Sequence, residues 1–542
     1  LCDKHRSLLY IFDKFLWETV SADTFACQRN SWYFQDSELR RARLPSMLKW
    51  PVRDVNHVKP KDLAVIALGA ALLSAILLLP LPPVRTAGGE VVALDRQGRG
   101  ALAVLCFTAL LWATEVLPLA VSSLLGCLLL AAVGAAPWEQ VIRAGLSGDI
   151  LPFLVGITIT SEGIRASGLA DRMACAMVTR RPMGRRVLVL AFMAMGCALA
   201  MLVGNMASVA VMAPMAAAII GASDEAPDKA RFAKALMIAC AWGPTIGSIG
   251  TPVGSSTGIM TINFLDKLAG VKVDLARWVT VGGPTAAALV LAGWLILLAL
   301  FHIEDRTVRC SFQSAARKPA ADGSPEPTAG AGLEAGRPGL SRAERSVVIS
   351  LAVTWGIWTC LPAAPLSLGA IIGAVLYLLT RSKPVRWDDI EHSVSLSTLL
   401  IVFAGLSMGS AVHETTAGRW LGTALFSGIL DMPPLWGAAA TAAIVIFIKM
   451  FFSSNTATAS IILPILISLK MAAGPGPVGM WQFVAPAALT SSLPIILVTS
   501  SPANLMAYRS GYFTAKDMVG PGLILAAVAS LVVALVVTLF GR

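Results

Sequence analysis

Ser454-Asn455-Thr456-Ala457-Thr458-Ala459, with a proline at Pro464, interrupts the apolar stretch 436–471 near its middle. A companion motif, Gly204-Asn205-Met206-Ala207 with Pro214, sits in the same place within the apolar stretch 187–221. One offset of 250 positions relates Asn205 to Asn455, Pro214 to Pro464 and, upstream, Gly168 to Gly418. Three landmarks at one offset point to a duplicated unit. An amide inside an apolar stretch is costly unless bonded, and a lone Asn reads most simply as a helix cap or an interhelical bond. A duplicated pair reads instead as a two-fold site near the bilayer midplane, the usual plan of secondary transporters.

Composition agrees with a membrane setting. Apolar residues make up 56% of the 542-residue chain and charged residues 14%, with a mean hydropathy of +0.72. Ordinary soluble cores could not hide so much apolar surface. Runs at 63–81, 279–301 and 519–540 are long enough to span once, and 101–136, 187–220 and 347–380 hold two spans or a re-entrant pair. The net charge of +11 is dispersed among these runs and lacks the aromatic interleaving of a nucleic-acid surface, so topology explains it better. Nine cysteines without a CxxC and five scattered histidines offer neither a disulfide framework nor a metal cluster. The chain reads as no enzyme, since clustered His, Asp or Cys in one pocket is not visible.

Four regions follow. Residues 1–60 form a charged, aromatic cytoplasmic arm, of which 1–46 reads as an upstream extension outside the core function. Residues 61–302 and 345–542 are two transmembrane halves, joined by a basic Pro/Gly/Ala-rich cytoplasmic linker at 303–344. The loop before the first Asn motif carries Arg180, Arg181, Arg185 and Arg186, whereas the matching loop around Asp431, Pro433 and Pro434 has no basic residue. Equivalent loops of opposite basic content should face opposite sides, which makes the two repeats inverted. Arg85, Arg96 and Arg99 fall in a loop that this scheme places outside, a mild counter-signal.

A second interruption follows each Asn motif: Gly243-Pro244 through Gly258 in the first half, and Thr499-Ser500-Ser501-Pro502-Ala503-Asn504 in the second. Gly, Pro and hydroxyl residues at membrane depth predict a broken helix whose freed backbone groups can hold ions.

These residues resemble the divalent anion/sodium symporter family of dicarboxylate and citrate transporters. The resemblance rests on Ser454-Asn455-Thr456 with Leu463-Pro464, Trp112-Ala113-Thr114-Glu115-Val116-Leu117-Pro118, Gly247-Ser248-Ile249-Gly250-Thr251 and Pro502-Ala503-Asn504, over about Lys61 to Arg542. It implies an all-α polytopic membrane protein of two inverted repeats, with about eleven transmembrane helices plus two re-entrant hairpins. It also implies an elevator-type homodimer in the cell (inner) membrane. Carried over by position, a first sodium site would use Gly204, Asn205 and Gly254, and a second Ser454, Asn455 and Ser500. Substrate contacts would come from Asn205, Met206 and Ser255 on one side and from Ser454, Asn455, Thr456, Ser501 and Pro502 on the other. The expected partners are a small divalent anion, sodium and membrane lipid, with no cofactor besides the coupling ions.

Physical chemistry is compatible with that assignment. Hard cations take oxygen ligands, and a carboxylate takes donors at helix N-termini. No Lys or Arg is evident at either tip, so sodium would neutralise the anion. The first tip has Gly204 and Met206 where the family has Ser and Thr, and Ala200 and Met450 stand at preceding hydroxyl positions. Replacing Gly204 by Ser and Met206 by Thr should then raise affinity for a C4-dicarboxylate, provided the hairpin accepts the added Cβ at position 204. The poorer first half-site keeps open an anion exchanger or a proton-coupled carrier. Glu115, Glu162 and Glu414 read as helix-end or interfacial groups rather than proton relays, and Trp112, Trp242, Trp355 and Trp358 as packing.

Overall fold

The computed structural model describes residues 60–541 except 80, 86–90, 171, 174–182, 224–227, 309–338, 362–363, 381–389, 391–394 and 475. The arm at 1–59, residues 309–338 of the linker, and Arg180 and Arg181 of the basic loop lie outside the described residues.

The first half runs through α1 (Pro60–Leu78), α2 (Arg96–Thr114), α3 (Leu119–Ala132), α4 (Trp138–Leu146), α5 (Ile150–Ala166), α6 (Arg185–Val203), α7 (Asn205–Ala222), α8 (Lys229–Gly247), α9 (Ser256–Ala269) and α10 (Leu275–Phe301). The second runs through α11 (Arg342–Cys360), α12 (Leu366–Leu379), α13 (Leu396–Glu414), α14 (Thr416–Leu430), α15 (Pro434–Lys449), α16 (Asn455–Ala473), α17 (Met480–Thr490), α18 (Pro502–Tyr508) and α19 (Ala515–Phe540). Element lengths recur between the halves. Helices α2 and α11 both have 19 residues. Helices α3 and α12 both have 14 and both follow a proline, Pro118 and Pro365. Two short antiparallel ladders, Val84–Arg85 with Val91–Val92 and Met183–Gly184 with Thr307–Val308, are the strands among the described residues.

Six helices are long and apolar enough to cross a membrane, and five shorter apolar ones accompany them among the described residues. The four hairpin helices α6, α7, α15 and α16 contain 19, 18, 16 and 19 residues. At 1.5 Å per residue they are about 24–29 Å long. Length alone therefore does not distinguish a hairpin that turns at mid-depth from one that crosses.

Packing brings the interrupted segments together. Helix α8 lies close against α6 because Gly243 and Gly247 face it: a side chain at Gly243 would meet the Met193 carbonyl at 2.6 Å, and one at Gly247 would run into the Cys197 backbone. Helix α9 of the first half packs on α16 of the second, and α18 of the second packs on α7 and α8 of the first. Each half thus completes the other. At the start of α6, buried Arg185 pairs with Asp228 at 2.6 Å, and its guanidinium lies 5.1 Å from the Phe232 ring centre. Arg186 Nε donates to the Ile303 carbonyl at 2.9 Å, beside the ladder joining Gly184 to Thr307. The end of the basic loop and the beginning of the linker therefore share one edge.

Candidate functional site

The first tip is a single residue. Gly204 closes α6 and opens α7, with φ 82° and ψ 167°, a backbone region that is essentially glycine's alone. Its N–H donates to the Ala200 carbonyl at 3.0 Å, and its own carbonyl accepts from Ser208 Oγ at 2.8 Å. The missing hydroxyl at 204 is therefore a demand of the turn. Serine there would strain the backbone, which overturns the expectation that Gly204→Ser improves this tip. The first break lies alongside: the place a Cβ would take on Gly204 is 3.6 Å from the Gly254 carbonyl. Thr251 Oγ1 ties the break to the hairpin by donating to the Met201 carbonyl at 2.9 Å and accepting from Gly254 N–H at 3.2 Å. Buried Trp278 donates to the Ile249 carbonyl at 3.0 Å.

The second tip is longer. Helix α15 stops at Lys449, tight turns carry the chain through Phe452, and Ser454 caps α16 by accepting from Ala457 N–H at 3.2 Å. Ser454 has ordinary extended geometry, φ −94° and ψ 121°. Asn455 is the first residue of α16, and its buried Oδ1 finds no donor among the described residues. The second break is held by Asn504, whose Nδ2 donates to the Pro494 carbonyl at 2.5 Å, and by Trp242, which donates to the Ile495 carbonyl at 3.1 Å. Ser501 caps α18 by accepting from Ala503 N–H at 3.2 Å. The expectation that neither tip carries a basic residue is overturned. Lys449 is 1% exposed, and its Nζ donates to the carbonyls of Phe452 at 2.6 Å and Ser500 at 2.8 Å.

A cavity of about 400 Å³ gathers Gly204, Asn205, Met206, Gly254, Ser255 and Asn455, with Ser161, Glu162 and Arg165 of α5 on its wall. Both Asn motifs therefore border one space. The other expected contacts, Ser454, Thr456, Ser500, Ser501 and Pro502, do not line it. Thr456 instead shares a hydrogen bond of 2.7 Å with Ser256, and Ser255 is linked to Ser492 at 3.1 Å, so hydroxyls join the two halves behind the cavity. Glu162 lies four residues before the end of α5. It is buried inside α5 and paired with Arg165, a one-turn pairing legible in the sequence but given no role. Glu115 does end a helix, α2, and accepts from Ser453 Oγ beside the second tip.

The two expected cation sites differ in fit. In the first half, Gly204, Asn205 and Gly254 border the cavity; the Gly204 carbonyl already accepts from Ser208 Oγ, and the Gly254 carbonyl and the Asn205 amide oxygen are of the type that suits a hard cation. In the second, the Ser500 carbonyl is already taken by an ammonium and Ser454 Oγ by the cap. A sodium ion about 4 Å from that ammonium would face a repulsion of about 4 kcal/mol at an effective dielectric of about 20. The second set is therefore the poorer fit for sodium, with only the Asn455 oxygen left unpartnered.

Comparison with known proteins identifies the family. The family described as the sodium:sulfate symporter transmembrane region matches residues 61–542. A sodium-dependent dicarboxylate transporter, SdcS, of Staphylococcus saprophyticus is 26% identical over 467 residues, covering 82% of this chain and 86% of the relative. The SdcS of Staphylococcus aureus strain USA300 is 25% identical over 471 residues, covering 81% and 85%. Among solved structures, Neisseria gonorrhoeae MtrF, described with a class of antimetabolite efflux pumps, superposes with a TM-score of 0.53 at 12% identity. It covers 87% of this chain and 94% of its own, a likeness of fold alone. The family match takes in both tips and both breaks, and the chain therefore belongs to the sodium:sulfate symporter family, as a multi-pass membrane transporter of anions coupled to sodium and not an enzyme.

Proposed function

We propose that the protein carries a small organic dianion of C4-dicarboxylate size, held at the cavity between the two Asn tips. One observation carries this reading: Asn205 and Asn455, 250 positions apart, line the same space of about 400 Å³. Each tip also opens a helix, α7 or α16, whose first amides and dipole favour an anion. The α5 wall adds little net charge, because Glu162 holds Arg165. The Asn455 oxygen, buried without a donor, suits a cation ligand. In the first half, sodium would be held by Gly204, Asn205 and Gly254 and would offset the anion's charge. The names of the SdcS relatives favour a dicarboxylate over sulfate.

The same reading takes the halves as inverted repeats, with the basic edge at Arg185 and Arg186 cytoplasmic and the Asp431 loop outside. On that reading the cavity where the two tips meet would lie near mid-depth. Exposed Leu368, Ile371, Ile372 and Val375 on α12 suit lipid and a homodimer, within which the hairpins and breaks would move as an elevator. Uptake of labelled succinate, citrate and sulfate into proteoliposomes tests the function. Succinate accumulation driven by an inward sodium gradient is expected. Uptake that ignores sodium but needs an internal anion would establish exchange, a second reading favoured by the ammonium at Ser500.

A further inference from the structure

We propose that the Lys449 ammonium is a tethered cation standing in the place of a second coupling ion, so that each protomer binds one sodium and supplies the other positive charge itself. The inference rests on the sodium-coupled dianion reading above. Its starting point is the Ser500 carbonyl, the backbone oxygen expected to hold sodium in the second half, which accepts from Lys449 Nζ at 2.8 Å. The Phe452 carbonyl accepts from the same nitrogen at 2.6 Å, because the chain after α15 turns back over the lysine that ends it. No described carboxylate forms an ion pair with Lys449, although its side chain is 1% exposed. Burying an ammonium costs free energy that two carbonyl partners offset only in part. One offset back, the first half has Leu199, also buried, which leaves Gly204 and Gly254 without a competing cation. Met450, beside the lysine, presents a thioether rather than a hydroxyl to any ion there.

Charge bookkeeping turns this into an electrical statement. A dianion, one sodium and the fixed ammonium sum to zero in the loaded carrier, and the empty carrier returns with the lysine's charge. Each cycle therefore moves one net negative charge with the substrate, whereas coupling to two sodium ions would move none.

The test counts ions on the purified protein. Equilibrium binding of radioactive sodium at saturating succinate should give one ion per protomer for the wild type and for Lys449→Arg, and two for Lys449→Met. In proteoliposomes of the wild type, an inside-positive potential should speed succinate uptake. Two ions on the wild type, or one on a folded Lys449→Met, overturns the inference while leaving sodium coupling intact. Should Lys449→Met fail to fold, the wild-type count and the sign of the potential effect decide by themselves. A wild type that binds no sodium overturns both this inference and the sodium-coupled reading.

Discussion

The two hairpin tips hold equivalent places 250 residues apart and are built on different chemistry. The first is a glycine turn whose backbone lies open beside the Gly254 carbonyl. In the second, Ser454 Oγ and the Ser500 carbonyl are already occupied, by a helix cap and by a lysine. The two tips thus share an Asn that opens a helix more closely than they share the groups around it. The shared feature is an Asn opening a helix at the cavity wall, to which the proposed function assigns the anion. On the proposed reading the unshared features divide the remaining work, the first tip taking a mobile cation and the second carrying a fixed one.

The most decisive way to break the comparison is topological. In a background whose native cysteines have been replaced, Pro182→Cys should react only with a cytoplasmic thiol reagent and Asp431→Cys only with an external one. Labelling from the same side would end the inverted relation between the tips. Next in size is Asn455→Ala, which removes the unpartnered oxygen at the cavity. Uptake should fall to background while detergent-purified protein keeps its melting temperature, and near-normal uptake would reduce Asn455 to a structural cap.

Smaller effects sharpen the contrast. Gly204→Ala forces a Cβ into a glycine-only conformation and should cost on the order of 1–3 kcal/mol of stability, visible as a lowered melting temperature. Ser454→Ala, at the matching place, loses a cap worth about 1 kcal/mol. Equal losses at the two positions would mean that the backbone difference has no energetic consequence. Met206, 40% exposed at the cavity, is the smallest lever. Met206→Thr offers a carboxylate a donor that a thioether lacks, and succinate affinity should improve by roughly tenfold, as a hydrogen bond to a charged group allows. Unchanged affinity would mean that the substrate does not reach this side.

Much of this was legible in the chain. Each Asn motif stood out as polar residues in an apolar stretch, and the single offset exposed their kinship, because membrane-length apolar runs leave few positions where an amide is tolerable. The broken helices were equally plain at Gly243 to Gly258 and at Pro502, since glycine and proline disrupt helices through local backbone properties. Lys449 was passed over for a physical reason: five positions before Ser454, nothing local shows whether a lysine reaches lipid headgroups or turns inward.

Sequence by itself determined the membrane class, the Asn motifs that open helices and the breaks, because these follow from composition and from backbone preferences acting over a few residues. Only the tertiary structure decided which of those residues meet. It set Asn205 and Asn455 around one cavity, left Ser501 and Pro502 away from it, and joined the halves through Ser256 with Thr456 and Trp242 with Ile495. It also turned Lys449 onto the Ser500 carbonyl, 51 positions away. Contacts of that range arise from the packing of α9 on α16 and of α18 on α7, which no local property of either segment encodes.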